Sequence, residues 1–314
     1  MLLHEILNIK YPIIQGAMAN IATAEFASAV SNAGGLGILS TMSMDAQETR
    51  EQILRCFELT DKPFGVNLML KNPHSDEIAQ VILELKPAVV TTGAGNPSRF
   101  IDDFRKAGIK IFPVVPNVTL AVKMEKAGAD GIIAEGTEAG GHIGDIATMA
   151  LIPQVVDAVS IPVIAAGGIG DGRGLVAALA LGAVGVQVGT CLLASEESLI
   201  HHDFKVALVQ AKDSDTIVTG RSTGAPVRIL KNEMGQAYLK LEYEGASREE
   251  LDRLTKGSLG RAVYEGDMQT GSGMMGQIAG LTKSVRPLKE IIEEIATSSR
   301  SVAGRIQEIY QDWK

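Results

Sequence analysis

The residue of this chain best suited to acid–base chemistry is His142, which stands among glycines just after an apolar segment. Residues 135–144 read Glu-Gly-Thr-Glu-Ala-Gly-Gly-His-Ile-Gly and follow the run Gly-Ile-Ile-Ala. An imidazole titrates near neutrality, so it can protonate an oxygen that gains charge or take a proton from an acidic carbon. We predict a catalytic role for His142, and the alternative is an ordinary loop histidine. Because no second histidine or serine elbow accompanies it, the pattern favours neither a hydrolytic triad nor a metal centre.

Two further turns downstream have the composition of a phosphate site. Gly167 and Gly168 follow one apolar segment, and Gly189 and Thr190 follow the next. Backbone N–H groups on such turns can bind a phosphate without a charged side chain. Either pair alone could simply form a tight turn. Both pairs at the ends of consecutive apolar segments predict phosphate binding.

Three apolar segments end in a polar side chain, namely Asn67, Glu135 or Gln187. Each of these residues alone is ambiguous, since Asn67, for example, could cap a loop. A polar residue that ends an otherwise apolar barrel strand points into the mouth of the barrel. The three together therefore predict a ligand site there.

The elements that would position these residues are eight short apolar segments separated by helical patterns. Each segment is apolar on consecutive residues, as in a strand that is buried on both faces. Eight such units predict an α/β fold of the TIM-type (β/α)8 barrel class, whose functional loops follow the C-terminal ends of the strands. The predicted strands are residues 12–16, 36–40, 64–70, 88–92, 110–115, 131–135, 162–166 and 184–188.

The chain is longer than the barrel requires. Residues 1–200 contain the eight units, and residues 201–267 read as short charged helices around a polar turn at 219–226, which predicts a lid inserted after strand eight. We expect residues 268–314 to return to the barrel mouth and then to form a C-terminal helix at 285–313. That helix would close the barrel or form an interface.

The composition excludes several classes of protein. An aromatic content of 4% argues against a base-stacking nucleic-acid binder, and a net charge of −8 disfavours general attraction to phosphate backbones. Cys56 and Cys191 are too few for a disulfide framework. The N-terminus lacks the pattern of a signal peptide, and no uncharged apolar run reaches the ~18 residues of a membrane span. We therefore expect a cytoplasmic protein that binds neither nucleic acid nor membrane.

Several motifs taken together resemble a known flavoprotein family. They include Gly-Ala-Met at 16–18, Phe-Gly-Val-Asn at 64–67, Ala-Ala-Gly-Gly-Ile at 165–169 and Gln-Val-Gly-Thr at 187–190. With the histidine segment at 135–144, they are similar to the flavin-dependent enoyl-[acyl-carrier-protein] reductase II and to its sister, nitronate monooxygenase. Residues 219–228 and 266–277 resemble reductase segments beyond the barrel, so the resemblance covers nearly the whole chain.

The resemblance implies FMN at the barrel mouth. Its phosphate would lie on Gly167, Gly168, Gly189 and Thr190. Its ring would lie near Met18, Asn67, Glu135, Gly140 and Gln187. The same resemblance adds Val188, Met275 and Gln277 to the cofactor-binding residues.

The resemblance also implies a reaction. NADH, or NADPH, would reduce the flavin, and the flavin would pass hydride to the β-carbon of a trans-2-enoyl thioester on acyl carrier protein. His142 would polarise or protonate the developing enolate. The resemblance also implies a monovalent cation near the lid.

The reductase branch is favoured by the segments beyond the barrel and by Glu135, where nitronate enzymes tend to carry glutamine. Two alternatives stay open. In a nitronate monooxygenase, His142 would act as a general base and oxygen would be the oxidant. In a flavin-free barrel, the glycine turns would bind a phosphorylated metabolite without redox chemistry.

An acyl carrier protein is acidic, so an enzyme with a net charge of −8 needs a local basic patch to bind one. Arg221, Arg228 and Lys231 lie close together in the predicted lid. They could dock the carrier, form a solvated face or contact the phosphates of a dinucleotide. The terminal helix and the lid also offer apolar surface, which predicts a homodimer.

Overall fold

The computed structural model describes residues 1–313, and eight parallel strands form its centre. Each of these strands lies within one residue of its predicted segment at both ends, and the predicted TIM-type barrel is confirmed. A short additional strand, β7 (Gly141–His142), lies outside the barrel. The barrel strands are β1 (Ile13–Gln15), β2 (Gly37–Ser40), β3 (Phe64–Met69), β4 (Val89–Gly93), β5 (Lys110–Val115), β6 (Ile132–Glu135), β8 (Val163–Ala166) and β9 (Gly185–Val188).

Helices alternate with these strands and cover the outside of the barrel. Many begin at a polar cap: at the start of α3, for example, the Asp45 carboxylate accepts from the Glu48 N–H, and the Glu48 carboxylate accepts from the Asp45 N–H. The helices before β9 are α1 (Leu3–Leu7), α2 (Ala24–Asn32), α3 (Ala46–Leu59), α4 (Ser75–Leu85), α5 (Ser98–Lys106), α6 (Val118–Lys126), α7 (Thr148–Ala158) and α8 (Gly172–Ala180).

The barrel closes between β1 and β2 with the help of a side chain. Those two strands share only the single bridge between Ile14 and Leu36. The fully buried amide of Gln15 supplies further links, because its Nε2 donates to the Ile38 carbonyl and its Oε1 accepts from the Ile38 N–H, both at 3.0 Å. The amide therefore satisfies backbone groups that a longer ladder would otherwise pair.

Apolar side chains fill the inside of the barrel below its C-terminal ends. Leu36, Ile38, Val89 and Phe112 form part of this layer, and α1 covers its lower end with Leu3. The interior is thus a packed core, and open space remains only toward the C-terminal face of the strands.

The chain beyond β9 builds the lid and the last helix. It contains α9 (Thr190–Leu193), α10 (His202–Gln210), β10 (Thr216–Thr219), β11 (Val227–Leu230), α11 (Glu233–Tyr243), α12 (Arg248–Thr255), α13 (Ser258–Gly260), a π-helical turn (Arg261–Glu265), a 3-10 turn (Gln277–Leu281) and α14 (Leu288–Gln311). In this region α14 packs against α8 and α2, in the position of an eighth barrel helix. Among residues 1–313, no helix has the length and apolarity that crossing a bilayer requires.

The lid contains a small sheet in addition to its predicted helices. Strands β10 and β11 pair antiparallel, and β11 also pairs with β7, in the order β10-β11-β7. The prediction of short helices around a polar turn missed this hairpin. Since β7 contains His142, the sheet joins the lid directly to the loop that carries the histidine.

Candidate active site

A cavity of about 510 Å³ opens at the C-terminal ends of the barrel strands, under the lid. Its volume lies within the ~300–1,000 Å³ of typical ligand and cofactor sites. Eleven of the predicted site residues line it: Met18, Asn67, Glu135, Gly140, His142, Gly167, Gly168, Gln187, Val188, Gly189 and Thr190. Strand ends, loops and lid thus bring together residues that lie far apart in the sequence.

The structure corrects the placement of Met275 and Gln277, because neither lines the cavity. Met275 is 0% exposed in the apolar core of the lid, and the Gln277 side chain lies in solvent. Their neighbours Met274 and Gly276 line the cavity instead. The backbone at Gly276 is extended, and successive residues of an extended chain point to opposite sides. The segment does reach the mouth, but its register differs by one residue from the prediction.

The two glycine turns present backbone N–H groups without acceptors. Gly167 and Gly168 have φ values of +93° and +71°, a conformation that favours glycine. A Cβ on Gly167 would lie 2.8 Å from the Gly136 carbonyl oxygen, so a side chain does not fit there. Outside the strand ladders of residues 1–313, no hydrogen bond uses the N–H of Gly168 or Gly189, whereas the pairing of Ala166 with Gln187 directs the Gly167 N–H toward the Gln187 carbonyl. Two free N–H groups at one end of a cavity fit an anionic oxygen group.

Thr190 fixes the second turn to the segment that returns from the lid. Its hydroxyl accepts from the Gly276 N–H at 2.8 Å. A Cβ on Gly276 would approach the Glu138 carbonyl oxygen to 2.6 Å, so the close approach of the two chains requires glycine. This contact holds residues 274–276 at the wall of the cavity.

Glu135 ends β6 and places its carboxyl in the cavity wall, half-buried. The carboxyl makes no hydrogen bond to a described residue, and removal from water raises its pKa to about 7. Near neutral pH this group therefore exists in both the protonated and the ionised form. It can either donate a hydrogen bond to a ligand or accept one from it.

Asn67 lies in β3, two residues before the strand ends, and is held by a partner on the next strand. Its side-chain Nδ2 donates to the Thr91 hydroxyl at 3.0 Å, and its main-chain carbonyl accepts from the Thr41 hydroxyl at 2.7 Å. Thr91 was not singled out in the sequence, because its role depends on the parallel register between β3 and β4. The orientation of the Asn67 amide is thus fixed before any ligand binds.

His142 lies at the rim of the cavity, in β7, and is open to solvent on one side. Partial desolvation and, to a smaller extent, the nearby Lys71 ammonium lower its pKa. The imidazole is therefore neutral at pH 7 and can donate or accept a single proton. Lys71 also lines the cavity. Its only signal in the sequence is that of a lone lysine two residues after β3.

Glu138 is a second carboxylate in the cavity wall that the sequence analysis missed. It accepts hydrogen bonds from the N–H of Thr148, at 2.9 and 3.0 Å to its two oxygens, and from the Thr148 hydroxyl at 2.8 Å. Thr148 begins α7, so the carboxylate satisfies free N–H groups at a helix N-terminus. The Glu138 carbonyl also accepts from the Gln277 N–H at 2.9 Å. Its observed contacts are structural and hold the histidine loop in place.

The proposed basic patch in the lid is not a patch. Arg228 is only 6% exposed, with its guanidinium turned into the base of the lid. Arg221 forms an ion pair with Asp145 at 2.8 Å, and Lys231 lies exposed elsewhere on the surface. Because β11 alternates its side chains between two faces, neighbours in sequence do not share one surface. A docking site built on Arg228 is therefore excluded.

The described residues contain no group of three or more His, Cys, Asp or Glu side chains that could hold a metal ion. Cys56 and Cys191 are both buried, and burial raises the pKa of each thiol to about 12. Neither thiol is therefore suited to act as a nucleophile. Glu135 and His142 are the side chains of the cavity whose pKa values are shifted by removal from water.

Comparison with known proteins gives close relatives over nearly the whole chain. A family model described as nitronate monooxygenase matches residues 1–82 and 75–298. A probable nitronate monooxygenase of Staphylococcus saprophyticus is 34% identical over 96% of this chain and 98% of its own. An octahydro-1H-indene-4-carboxyl-CoA dehydrogenase of Mycobacterium tuberculosis is 38% identical over 74% of this chain and 66% of its own. The structure of FabK from Thermotoga maritima superposes with a TM-score of 0.95 and 44% identity, covering 98% of both chains.

Proposed function

The chain belongs to the nitronate monooxygenase family of flavin-dependent oxidoreductases, and within it we propose an FMN-dependent enoyl-[acyl-carrier-protein] reductase. The proposed reaction uses NADH or NADPH to reduce a trans-2-enoyl thioester on acyl carrier protein. One observation carries the proposal: the likeness to FabK, the enoyl-[acyl-carrier-protein] reductase II, extends over 98% of both chains and so includes the lid. The CoA thioester in the name of the mycobacterial relative supports the same substrate class.

The residues of the cavity fit FMN. The free N–H groups of Gly168 and Gly189, on turns that also contain Gly167 and Thr190, suit its phosphate, which needs donors and no particular side chain. Asn67 and Glu135 offer polar groups to the edge of its ring system. When bound, FMN supplies the hydride chemistry between the nicotinamide and the β-carbon of the enoyl thioester.

The chain's own contribution to the second half-reaction comes from His142. Hydride addition at the β-carbon places negative charge on the thioester oxygen. A neutral imidazole at the rim of the cavity can donate its N–H to that oxygen, and the lowered pKa of His142 keeps it neutral at pH 7. The lid turn at 224–226 also lines the cavity and limits access of water to this region.

A two-step flavin assay tests the proposal. Purified protein is incubated with FMN, and we expect a bound flavin spectrum that NADH bleaches under anaerobic conditions. Addition of crotonyl thioester should then restore the oxidised spectrum. A bound flavin that neither NADH nor NADPH reduces would refute the reductase assignment.

Nitronate monooxygenase is the second candidate, supported by the description of the family model and by the name of the staphylococcal relative. In that reaction His142 would be the general base that takes a proton from an acidic carbon. Oxygen uptake on propyl nitronate without NADH would establish it in place of the reductase. The flavin-free barrel lacks support, since the chain belongs to a family of flavin-dependent oxidoreductases.

The partners and the assembly complete the proposal. We expect the substrate to arrive on acyl carrier protein, the chain to form a homodimer, and a monovalent cation to bind near the lid. Light scattering on a sizing column tests the dimer. A comparison of rates in sodium, potassium and ammonium salts tests the cation.

A further inference from the structure

Arg228 is a buried cation whose contacts are unusual for an arginine. Its Nε and Nη2 both donate to the Thr137 carbonyl, at 3.2 and 3.0 Å, and its Nη1 donates to the Thr216 hydroxyl at 3.1 Å. It forms no ion pair with an Asp or Glu of residues 1–313; burial and the charge of Arg221 lower its pKa, and the charge of Glu138 opposes them only in part. Burial of a guanidinium without a carboxylate is unfavourable, so stability alone gives little reason to keep one here.

The carbonyl that Arg228 holds belongs to the loop that carries His142. This loop leaves β6 after Glu135, passes Thr137 and returns as β7. In the lid sheet, Arg228 lies opposite Gly141, and Val227 lies opposite His142. The N–H of Ile143 also donates to the Pro226 carbonyl at 3.1 Å. The lid strand β11 therefore contacts the loop at both ends, by its backbone near His142 and by one side chain at Thr137.

We propose that Arg228 is a positioning residue, whose guanidinium fastens the Thr137 carbonyl to β11 and thereby fixes the imidazole of His142 at the rim of the cavity. The planar fork of arginine can direct two donors at one carbonyl while a third reaches Thr216. A lysine has a single ammonium and cannot make the same set of contacts. For its effect on the reaction, the inference rests on the proposed function, but its effect on His142 can be measured independently.

The test uses two substitutions at the same position, Arg228→Lys and Arg228→Met, in the flavin-loaded protein. The matched control is Arg253→Met, because Arg253 is an exposed lid arginine in α12 that pairs only with Glu249. The first measurement is the pKa of His142 from the pH titration of its imidazole proton signals by NMR. The signal is assigned by its loss in His142→Ala.

We expect both Arg228 variants to raise the pKa of His142 toward the ~6.5 of a solvent-exposed imidazole, because a released loop exposes the ring to water. Arg253→Met should leave it unchanged. If Arg228 contributes only to stability, its variants should lower the melting temperature and leave the pKa of His142 as in the parent. That result would overturn the proposal.

The second measurement separates the two half-reactions by anaerobic stopped flow. Reduction of the flavin by NADH should stay within a few-fold of the parent, and reoxidation by crotonyl thioester should slow at least tenfold. Equal slowing of both steps would contradict a role through His142. If the parent reduces no thioester, the proposed function fails, and the NMR titration decides the positioning role alone.

A milder variant covers the case in which the Arg228 variants do not fold. Thr216→Val removes only the hydroxyl that accepts from Nη1 and keeps the shape of the side chain. It should raise the pKa of His142 in the same direction by a smaller amount. An unchanged titration in folded Thr216→Val, together with unfolded Arg228 variants, would assign Arg228 to stability and refute the proposal.

Discussion

Glu135 offers a prediction that depends on the cavity alone and not on any bound cofactor. Its carboxyl has a pKa of about 7 in the folded chain, raised from 4.5 by removal from water. The folded state therefore holds this proton more tightly than the unfolded state. Below about pH 4.5 the carboxyl is protonated in both states and does not lower the folding stability. As the pH rises from there to about 7, the unfolded state releases its proton first and folding stability falls.

The substitution Glu135→Gln removes this cost, because glutamine has nearly the same shape and never ionises. One pKa unit corresponds to about 1.4 kcal/mol, so the gap between 4.5 and about 7 corresponds to at most about 3 kcal/mol. Water inside the cavity reduces the effect, since the carboxyl is only half-buried. We compare the free energy of unfolding of Glu135→Gln with that of the parent at each pH. We expect this difference to favour Glu135→Gln by roughly 1–2 kcal/mol more at pH 8 than at pH 5.

Urea unfolding of the flavin-free protein at the two pH values measures this difference through the midpoints of the transitions. Glu244→Gln is the matched control, because Glu244 is exposed at the end of α11 and forms no ion pair. The control should show no such pH dependence. If Glu135→Gln and the parent differ equally at pH 5 and pH 8, the carboxyl is not desolvated and the reasoning is wrong.

Substitutions in the cavity and on the surface of α14 test three further points. His142→Ala should still bind flavin and be reduced by NADH. Its rate of flavin reoxidation by crotonyl thioester, measured by anaerobic stopped flow, should fall by ~10² to 10⁴. A loss of less than a few-fold would make His142 an ordinary loop histidine. Gly189→Ala should fold normally, because the nearest atom to its added Cβ is the Met18 sulfur at 3.8 Å. It should bind FMN more weakly in a fluorescence titration. An unchanged affinity would show that the phosphate does not bind at this turn. Gly304→Ala in α14 meets nothing within 4 Å and should stabilise the chain by roughly 0.5–1 kcal/mol in urea unfolding, whereas a loss of stability would reveal an unrecognised contact.

The barrel could be predicted because its signal is local and repeated. Each strand is buried on both faces, so it reads as a short run of apolar residues, and eight runs with helical patterns between them leave few other folds. The same logic placed Asn67, Glu135 and Gln187 in the cavity, since all three lie within the last three residues of a barrel strand, close to the mouth. The barrel fold therefore determines which residues lie at the bottom of the cavity.

The wall and the lid could not be predicted in the same way, because their signals are not local. Strand β7 is two residues long and pairs with residues more than eighty positions later, so no window of sequence contains the pattern. The placement of Met275 depends on which side of an extended segment faces the barrel. The hydrogen bond between Gly276 and Thr190 determines that side, and it joins residues that are far apart in the sequence. Arg228 was mistaken for a surface residue because charge in a sequence carries no information about burial.

The barrel and the lid contribute different residues to the proposed chemistry. The residues suited to the cofactor come from strand ends of the barrel, whereas His142 is held by a strand of the lid. On the proposed assignment, a change in the lid can alter the second half-reaction while the cofactor site stays intact. Relatives named as a monooxygenase and as FabK can thus share one barrel, and the lid is where differences in their reactions should be sought. Exchanging residues 216–230 between such relatives should move substrate preference and leave flavin affinity unchanged, and a loss of flavin binding would show that the two parts are not separable.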